Sequence, residues 1–152
     1  MKLDRRTGAV CLLMSLAAAT AVAGPREQAK RMHDRLAGVP PTESVLANMA
    51  ADIAAGNALA AAETAMQNRA FYDVTLKNFA TPWTNRDQTV FAPLNDYSAT
   101  VIGMVRDDVP FNTALSADLV YVSNAAGLPA YSAVNNDHYA QAESRGVDLK
   151  AT

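Results

Sequence analysis

The residues best suited to chemistry gather in one stretch, WTNRD at residues 83–87. It holds the only tryptophan of the chain, whose ring can stack on a ligand while Arg86 binds an anion. Asn85 and Asp87 are equally suited to hydrogen-bonding the backbone of a loop. The stretch therefore has two interpretations: a ligand-binding loop, or a structural hinge in which Trp83 fills the core of a helical bundle. We favour the hinge.

The two histidines, His33 and His138, do not form a metal-binding pattern. A metal site needs three or four converging ligands, and no H-x-x-x-H or H-E-x-x-H pair exists. We expect His33 to face solvent on a charged helix. His138 lies at the start of a predicted helix, where it can be a haem ligand, a proton relay or, as we favour, a surface residue. The candidate ligand-binding residues are Trp83, Asn85, Arg86, Asp87 and His138, and we predict no metal site.

Other catalytic patterns are missing from the sequence. It contains neither a G-x-S-x-G nucleophile elbow nor a glycine-rich phosphate loop. Asp107 and Asp108 lack the alternating oxygens of a calcium loop, and we interpret them as a solvated helix end beside Arg106. Acid, base and nucleophile share no recognisable spacing, so we predict no catalytic residue and favour an enzyme least.

The N-terminus has the pattern of an export signal. Lys2, Arg5 and Arg6 precede an uncharged apolar run at residues 8–23, which ends in Ala-Val-Ala. This ending predicts cleavage before Gly24 and places the mature chain in the periplasm or outside the cell. A retained membrane anchor is the alternative, although the apolar run is short for a membrane span.

Cleavage would leave a mildly acidic domain without cysteine, because Cys11 is the only one in the chain. The mature chain could then form no disulfide, thiolate metal site or thioether-linked haem. The leader carries three of the 13 basic and one of the 15 acidic residues, so the mature net charge is −4. That charge disfavours nucleic acid and anionic membranes as partners. The length of 152 residues leaves room for one domain.

Hydrophobic periodicity and helix breakers predict a mostly α fold, a small irregular bundle of about five short helices joined by Pro-containing loops. Pro82 should stop a central helix, and residues 83–92 should form a loop. In the helix after Pro93, the apolar stripe is formed by Leu94, Tyr97, Val101 and Val105. Residues 111–115 are expected to form a helical turn, residues 119–122 a short strand or an extended run, and the polar residues 147–152 to trail off. The predicted helical segments are residues 25–37, 43–56, 58–67, 70–80, 93–107 and a last one from Asn135 or Asn136 to Gly146.

Four motifs together resemble one known family. They are RLAGVPPT at residues 35–42, VRDDVPF at 105–111, LSADLVYVSN at 115–124 and NNDHY at 135–139. These motifs are similar to segments of the planctomycete-type cytochrome c-associated exported proteins of unknown function. The family patterns are R-L-x-G-[LV]-P-P-T, R-x-x-x-P-[FV], L-x-A-D-[YF]-[TV]-[FY]-[VL]-N and N-x-x-[LH]-x-x-x-Y. The resemblance spans residues 35–147.

The resemblance implies a helical N-terminal region ahead of a segment with a C-x-x-C-H haem-attachment motif. This chain has no such motif, so haem c would belong to a missing downstream segment and no cofactor to the chain itself. We expect residues 24–152 to be the N-terminal part of a longer protein. Its function would be a non-catalytic scaffold that packs against the downstream haem-bearing module or another exported protein. The alternative is a free-standing periplasmic binding or interaction module that uses the loop at residues 83–96.

Overall fold

Six α-helices form the framework of the protein, which we describe from a computed structural model covering residues 23–152. This part of the chain contains no strand, and the predicted mostly α bundle is confirmed. The predicted leader, residues 1–23, lies outside the described residues apart from Ala23. The helices are α1 (Pro25–Ala37), α2 (Glu43–Ala54), α3 (Ala58–Met66), α4 (Lys77–Ala80), α5 (Asp96–Arg106) and α6 (Asp137–Ser144).

Helices α1, α2 and α3 form the first packed unit. Pro25 opens α1, where its missing N–H has no partner to lose, and Gly38 ends it with a φ of 71°. Thr42 and Asn57 cap α2 and α3, because their side-chain oxygens accept backbone N–H groups of the first turn. The small alanine side chains let the three helices pack closely. The buried residues of this first core are Ala29, Leu46, Met49, Ala61 and Ala65.

His33 is buried in this unit, which corrects the prediction that it faces solvent. Its side chain is 2% exposed, and its Nδ1 lies 2.8 Å from the carbonyl oxygen of Val39. The contact ties the end of α1 to the turn that leads into α2. His33 is four residues from both Ala29 and Ala37, so it lies on the buried stripe of a helix whose other faces are charged.

Residues 70–80 are helical as predicted, but the helix changes form along its length. A π-helical turn, Phe71–Leu76, precedes α4, and a 3-10 turn, Thr81–Thr84, follows it. Pro82 therefore does not stop the helix at once, because it lies at the start of the 3-10 turn, where its missing N–H is tolerated. The segment is central, as expected. The second core consists of Phe71, Tyr72, Leu76, Leu94, Ile102 and Tyr139.

Helix α5 begins three residues after the predicted start at Pro93. Asn95 caps it in a reciprocal capping box with the third residue of the helix. Leu94 is held outside the helix, because Glu143 accepts its N–H and the Asn136 amide donates to its carbonyl oxygen. Tertiary partners on α6 and its cap therefore decide where α5 starts.

The chain after α5 is largely irregular. Residues 118–125 have no helix, turn or bend and pair with no strand in the described part of the chain, so the predicted short strand at residues 119–122 is not formed. The 3-10 turn Phe111–Thr113 and helix α6 lie where helical structure was predicted.

Residues 147–152 are packed against the domain, contrary to the expectation that they trail off. Asp73 accepts the N–H of Leu149, and Arg106 Nη1 donates to the carbonyl oxygen of Thr152. Leu149 also packs against the second core.

None of the helices in residues 23–152 combines the length and the apolar character that crossing a bilayer requires.

Candidate functional site

Trp83 lies at the surface, so the predicted core position of this residue is wrong. It is 57% exposed, and its ring stands edge-on to that of Phe79, itself 51% exposed, with the ring centroids 4.8 Å apart. Within the same 3-10 turn it is Thr81, at 0% exposure, that is buried. Two large aromatic rings left exposed side by side are typical of a binding surface.

Asn85 holds the loop after Trp83 in shape. Its Nδ2 donates to the carbonyl oxygens of Thr81 and Thr89 at 2.8 and 2.9 Å, and its Oδ1 accepts the Thr89 N–H at 3.0 Å. This is the role that the hinge interpretation gave it. Arg86 and Asp87 lie exposed in the same loop. All three polar candidates therefore lie in the loop beside Trp83 and outside the cleft described next.

A cleft of about 860 Å³ opens beside Trp83. Four parts of the chain line it: the 3-10 turn Thr81–Thr84, the start of α5, the residues that follow Pro110, and the residue before α6. The main groups that they contribute are the rings of Trp83, Tyr97 and Phe111 and the amides of Asn95, Asn112 and Asn136.

Hydrogen bonds fix the Trp83 side of the cleft. Thr84 Oγ1 donates to the carbonyl oxygen of Thr81 at 2.8 Å and accepts from Asn95 Nδ2 at 2.7 Å. Asn95 at the same time caps α5, so the 3-10 turn and the helix start are joined through one amide. The cleft is therefore preformed on this side, as ligand sites commonly are.

Lys77 and Glu143 hold the loop at residues 90–94, which leads into α5. Lys77 Nζ donates to the carbonyl oxygens of Val90 and Ala92 at 3.1 and 2.9 Å, and it pairs with Glu143 at 3.0 Å. Lys77 is 8% exposed, so protein acceptors replace most of the water around its ammonium group. Glu143 also accepts the N–H of Leu94 at 2.8 Å, which links α6 to the start of α5.

Asp96 is the one charged residue among the described residues that line the cleft. It is exposed, and its Oδ1 accepts the N–H of Tyr97 at 2.8 Å. The electrostatic potential in the cleft therefore favours a cation over an anion, because ring faces also carry negative potential. Ring faces, amides and one carboxylate are groups that can hold and orient a ligand.

His138 lies in the first turn of α6, as predicted, but it is buried and does not line the cleft. It is 3% exposed, which corrects the prediction of a surface residue. Its Nε2 accepts the N–H of Ser123 at 3.2 Å, so its Nδ1 carries the proton and donates to the carbonyl oxygen of Pro129 at 2.7 Å. Both ring nitrogens are engaged, and neither is free for haem iron. His138 therefore joins Ser123 and Pro129, in the irregular segment between α5 and α6, to α6.

Tyr139 fixes the same segment from the next position. Its hydroxyl donates to the carbonyl oxygen of Tyr121 at 2.9 Å, and the residue is 3% exposed. Burial raises the pKa of Tyr139 from 10.0 to about 12. The raised pKa means that the neutral phenol stabilises the fold fully below pH 10, and this stabilisation is lost as the pH rises through about 12.

We therefore expect the free energy of unfolding to fall more steeply above pH 10 in the wild type than in a Tyr139→Phe variant. At neutral pH the variant should be less stable by about 1 kcal/mol, because it loses one hydrogen bond. Urea unfolding of both proteins below and above pH 10 measures the difference. Parallel pH curves for the two proteins would show that Tyr139 is not the titrating group.

Of the five candidate ligand-binding residues only Trp83 lines the cleft, although the loop at residues 83–96 that the alternative function used also contributes Thr84, Asn95 and Asp96. Tyr97 was assigned to the apolar stripe of α5, and Phe111 to a helical turn without a role in a site. Periodicity shows which side of a helix is apolar, but it does not show which end of the helix borders an open cleft. Asn135 or Asn136 was predicted to start the last helix, whereas Asn95 was not recognised as a cap, and nothing in the sequence placed Asn95 and Asn136 near each other.

No group of three or more His, Cys, Asp or Glu residues within residues 23–152 is arranged to hold a metal ion. No protein-family model, curated protein or solved structure matches the chain. Its function is therefore inferred from the geometry of the cleft.

Proposed function

We propose that the chain is an exported, non-catalytic binding module whose cleft beside Trp83 takes an apolar ligand that carries positive charge. One observation carries this proposal: about 860 Å³ of open space is lined by three aromatic rings and a single carboxylate. A space of this size accommodates a small organic ligand. The apolar leader with its Ala-Val-Ala ending supports export.

The positive charge of the ligand follows from the groups in the cleft. A cation over a Trp, Tyr or Phe ring is attracted by the ring quadrupole, and Asp96 adds a formal negative charge. The Asn95 and Asn136 amides are used to hold the fold, since they donate to Thr84 and Leu94. Asn112 is exposed and can hydrogen-bond to the ligand. The net charge of −4 after leader removal adds long-range attraction for cations.

Phenyltrimethylammonium is a suitable probe, because it joins one aromatic ring to a permanent positive charge. Benzenesulfonate, of similar size and opposite charge, is the control ligand. We expect calorimetric titration to show saturable binding of the cation and no binding of the anion. Trp83→Ala should weaken this binding by about tenfold or more, because it removes the largest ring of the cleft. The variant should stay folded, since Trp83 is 57% exposed.

Matched variants test whether the ligand binds in the cleft or non-specifically to the protein surface. Phe91→Ala removes a ring that is 90% exposed and does not line the cleft, so the affinity should not change. Asp96→Asn should weaken the binding of the cation, whereas Asp118→Asn, at an exposed position outside the cleft, should not. Equal binding of the anion, or an equal loss of affinity in the Phe91 and Trp83 variants, would rule out the proposed site.

A second candidate function is the scaffold that packs against a downstream haem-bearing module. It is favoured by the exposed apolar residues of the irregular segment, where Leu115 is 86% and Val134 is 92% exposed. Apolar patches of this kind are often protein interfaces. The family resemblance covers the same segment. A scaffold without its partner should melt with poor cooperativity, whereas a binding module should melt in one sharp transition.

A further inference from the structure

Residues 118–125 contain no helix, turn or bend, and backbone groups of Tyr121 and Ser123 hydrogen-bond to the domain. Tyr121 N–H donates to Thr100 Oγ1 at 3.2 Å, and the Tyr121 carbonyl oxygen accepts the Tyr139 hydroxyl at 2.9 Å. Two residues further on, Ser123 N–H donates to His138 Nε2 at 3.2 Å. Alternate residues therefore direct their backbone groups toward the body of the domain, as in a strand of a sheet.

The other edge of this segment has no partner. In an extended chain the backbone groups of Val120 and Val122 point away from those of Tyr121. Within residues 23–152 nothing hydrogen-bonds the N–H or carbonyl group of either valine, and each valine is 42% exposed. Proteins usually protect such an edge with lysine, proline or a bulge. The stretch DLVYVSN at residues 118–124 has neither lysine nor proline.

We propose that this edge binds the same edge of a second copy of the chain, as an antiparallel two-stranded pair centred on Tyr121. In this register Val120 faces Val122 of the second copy, and Val122 faces Val120. Each valine then exchanges its N–H and carbonyl bonds with the valine opposite, so the two copies satisfy each other's free groups. The two-fold symmetry makes the contact closed, which limits the assembly to a dimer.

The side chains favour this register and a second copy as the occupant. Asp118 lies opposite Asn124 of the second copy, and a carboxylate accepts hydrogen bonds from an amide. Shifting the centre by one residue would place Asp118 opposite Val122 or Ala126, and either shift leaves the carboxylate without an amide partner. The pair also covers apolar surface, because Leu119 flanks the valines and is 41% exposed.

Analytical ultracentrifugation of the purified full chain over a range of concentrations tests the dimer. We expect the mass to double as the concentration rises. Val120→Pro should return the protein to a monomer, because proline removes an outward N–H yet fits an extended edge without disturbing the inner bonds. Val120→Thr keeps the N–H and is the matched control, which should remain a dimer. A monomer at every concentration, or a dimer that survives Val120→Pro, would overturn the proposal.

Cysteine cross-linking tests the register. In a Cys11→Ser background, Val120→Cys and Val122→Cys chains should form an intermolecular disulfide when mixed and much less when each is oxidised alone. Opposed residues of an antiparallel pair are close enough for this bond, at about 5.5 Å between Cα atoms. Equal cross-linking of each variant with itself would exclude the register centred on Tyr121. A monomer that binds an unrelated extended peptide instead would exclude the second copy as the occupant.

Discussion

Replacing Lys77 by methionine is expected to lower the free energy of unfolding by about 3 kcal/mol. Methionine keeps the apolar stem but removes the ammonium group that donates to Val90 and Ala92 and pairs with Glu143. Two loop carbonyl groups then lose their donor in a region where Lys77 itself is 8% exposed. Glu143 is 40% exposed at its side chain, so water replaces part of its lost pairing.

Lys30→Met is the matched control for the Lys77 variant. Lys30 pairs with Asp34 at a distance of four residues on α1, and its side chain is 56% exposed. Its removal should cost less than about 0.5 kcal/mol. Urea unfolding followed by the fluorescence of Trp83, the only tryptophan, measures both variants and reports on the loop directly. A Lys77 variant as stable as the Lys30 variant would show that the buried ammonium does not hold the loop.

Replacing Gly103 by alanine is expected to destabilise the protein by about 2 kcal/mol, although alanine is the better helix former. Gly103 is buried in α5 beneath the ring of Tyr121, and a Cβ there would lie 2.6 Å or less from three carbons of that ring. The ring must therefore move. This movement disturbs the cation–π contact in which the Arg106 guanidinium carbon lies 5.5 Å from the centroid of the Tyr121 ring. It also disturbs the hydrogen bonds of the Tyr121 backbone with Thr100 and Tyr139.

A double-mutant cycle tests whether the Tyr121 ring causes this loss of stability. In a Tyr121→Ala background the ring is gone, so Gly103→Ala should stabilise the protein by about 0.5 to 1 kcal/mol through helix propensity. The effect of the same substitution thus changes sign with the residue at position 121. Amide hydrogen exchange should also be faster at Ser123 in the Gly103 variant. Destabilisation of the same size in both backgrounds would show that the Tyr121 ring is not the cause.

Several features of the fold were predictable because their causes act within one helical turn. The ends of α1, α2 and α3 follow from Pro25, Gly38, Thr42 and Asn57, which satisfy or replace backbone groups beside them. The same local chemistry placed the 3-10 turn after Pro110. The start of α5 was misplaced because its deciding contacts come from residues 42 and 49 positions further along the chain.

The exposure of single residues was the least predictable property. His33 on a charged helix is buried, and Trp83, the most apolar candidate for the core, is exposed. In each case the outcome depends on which neighbouring segment covers that side of the helix. A sequence pattern predicts that one side is covered, but it does not identify the segment that covers it.

By itself the sequence determined which segments are helical and the order in which they follow, since capping and helix-breaking residues act on the adjacent backbone. Only the tertiary structure decided the cleft beside Trp83 and the free edge at Val120 and Val122. Both depend on hydrogen bonds between residues far apart in the chain, such as Asn95 with Thr84 and Tyr139 with Tyr121. Such bonds depend on the packing of the two cores, which brings their partners together, and no local pattern records them.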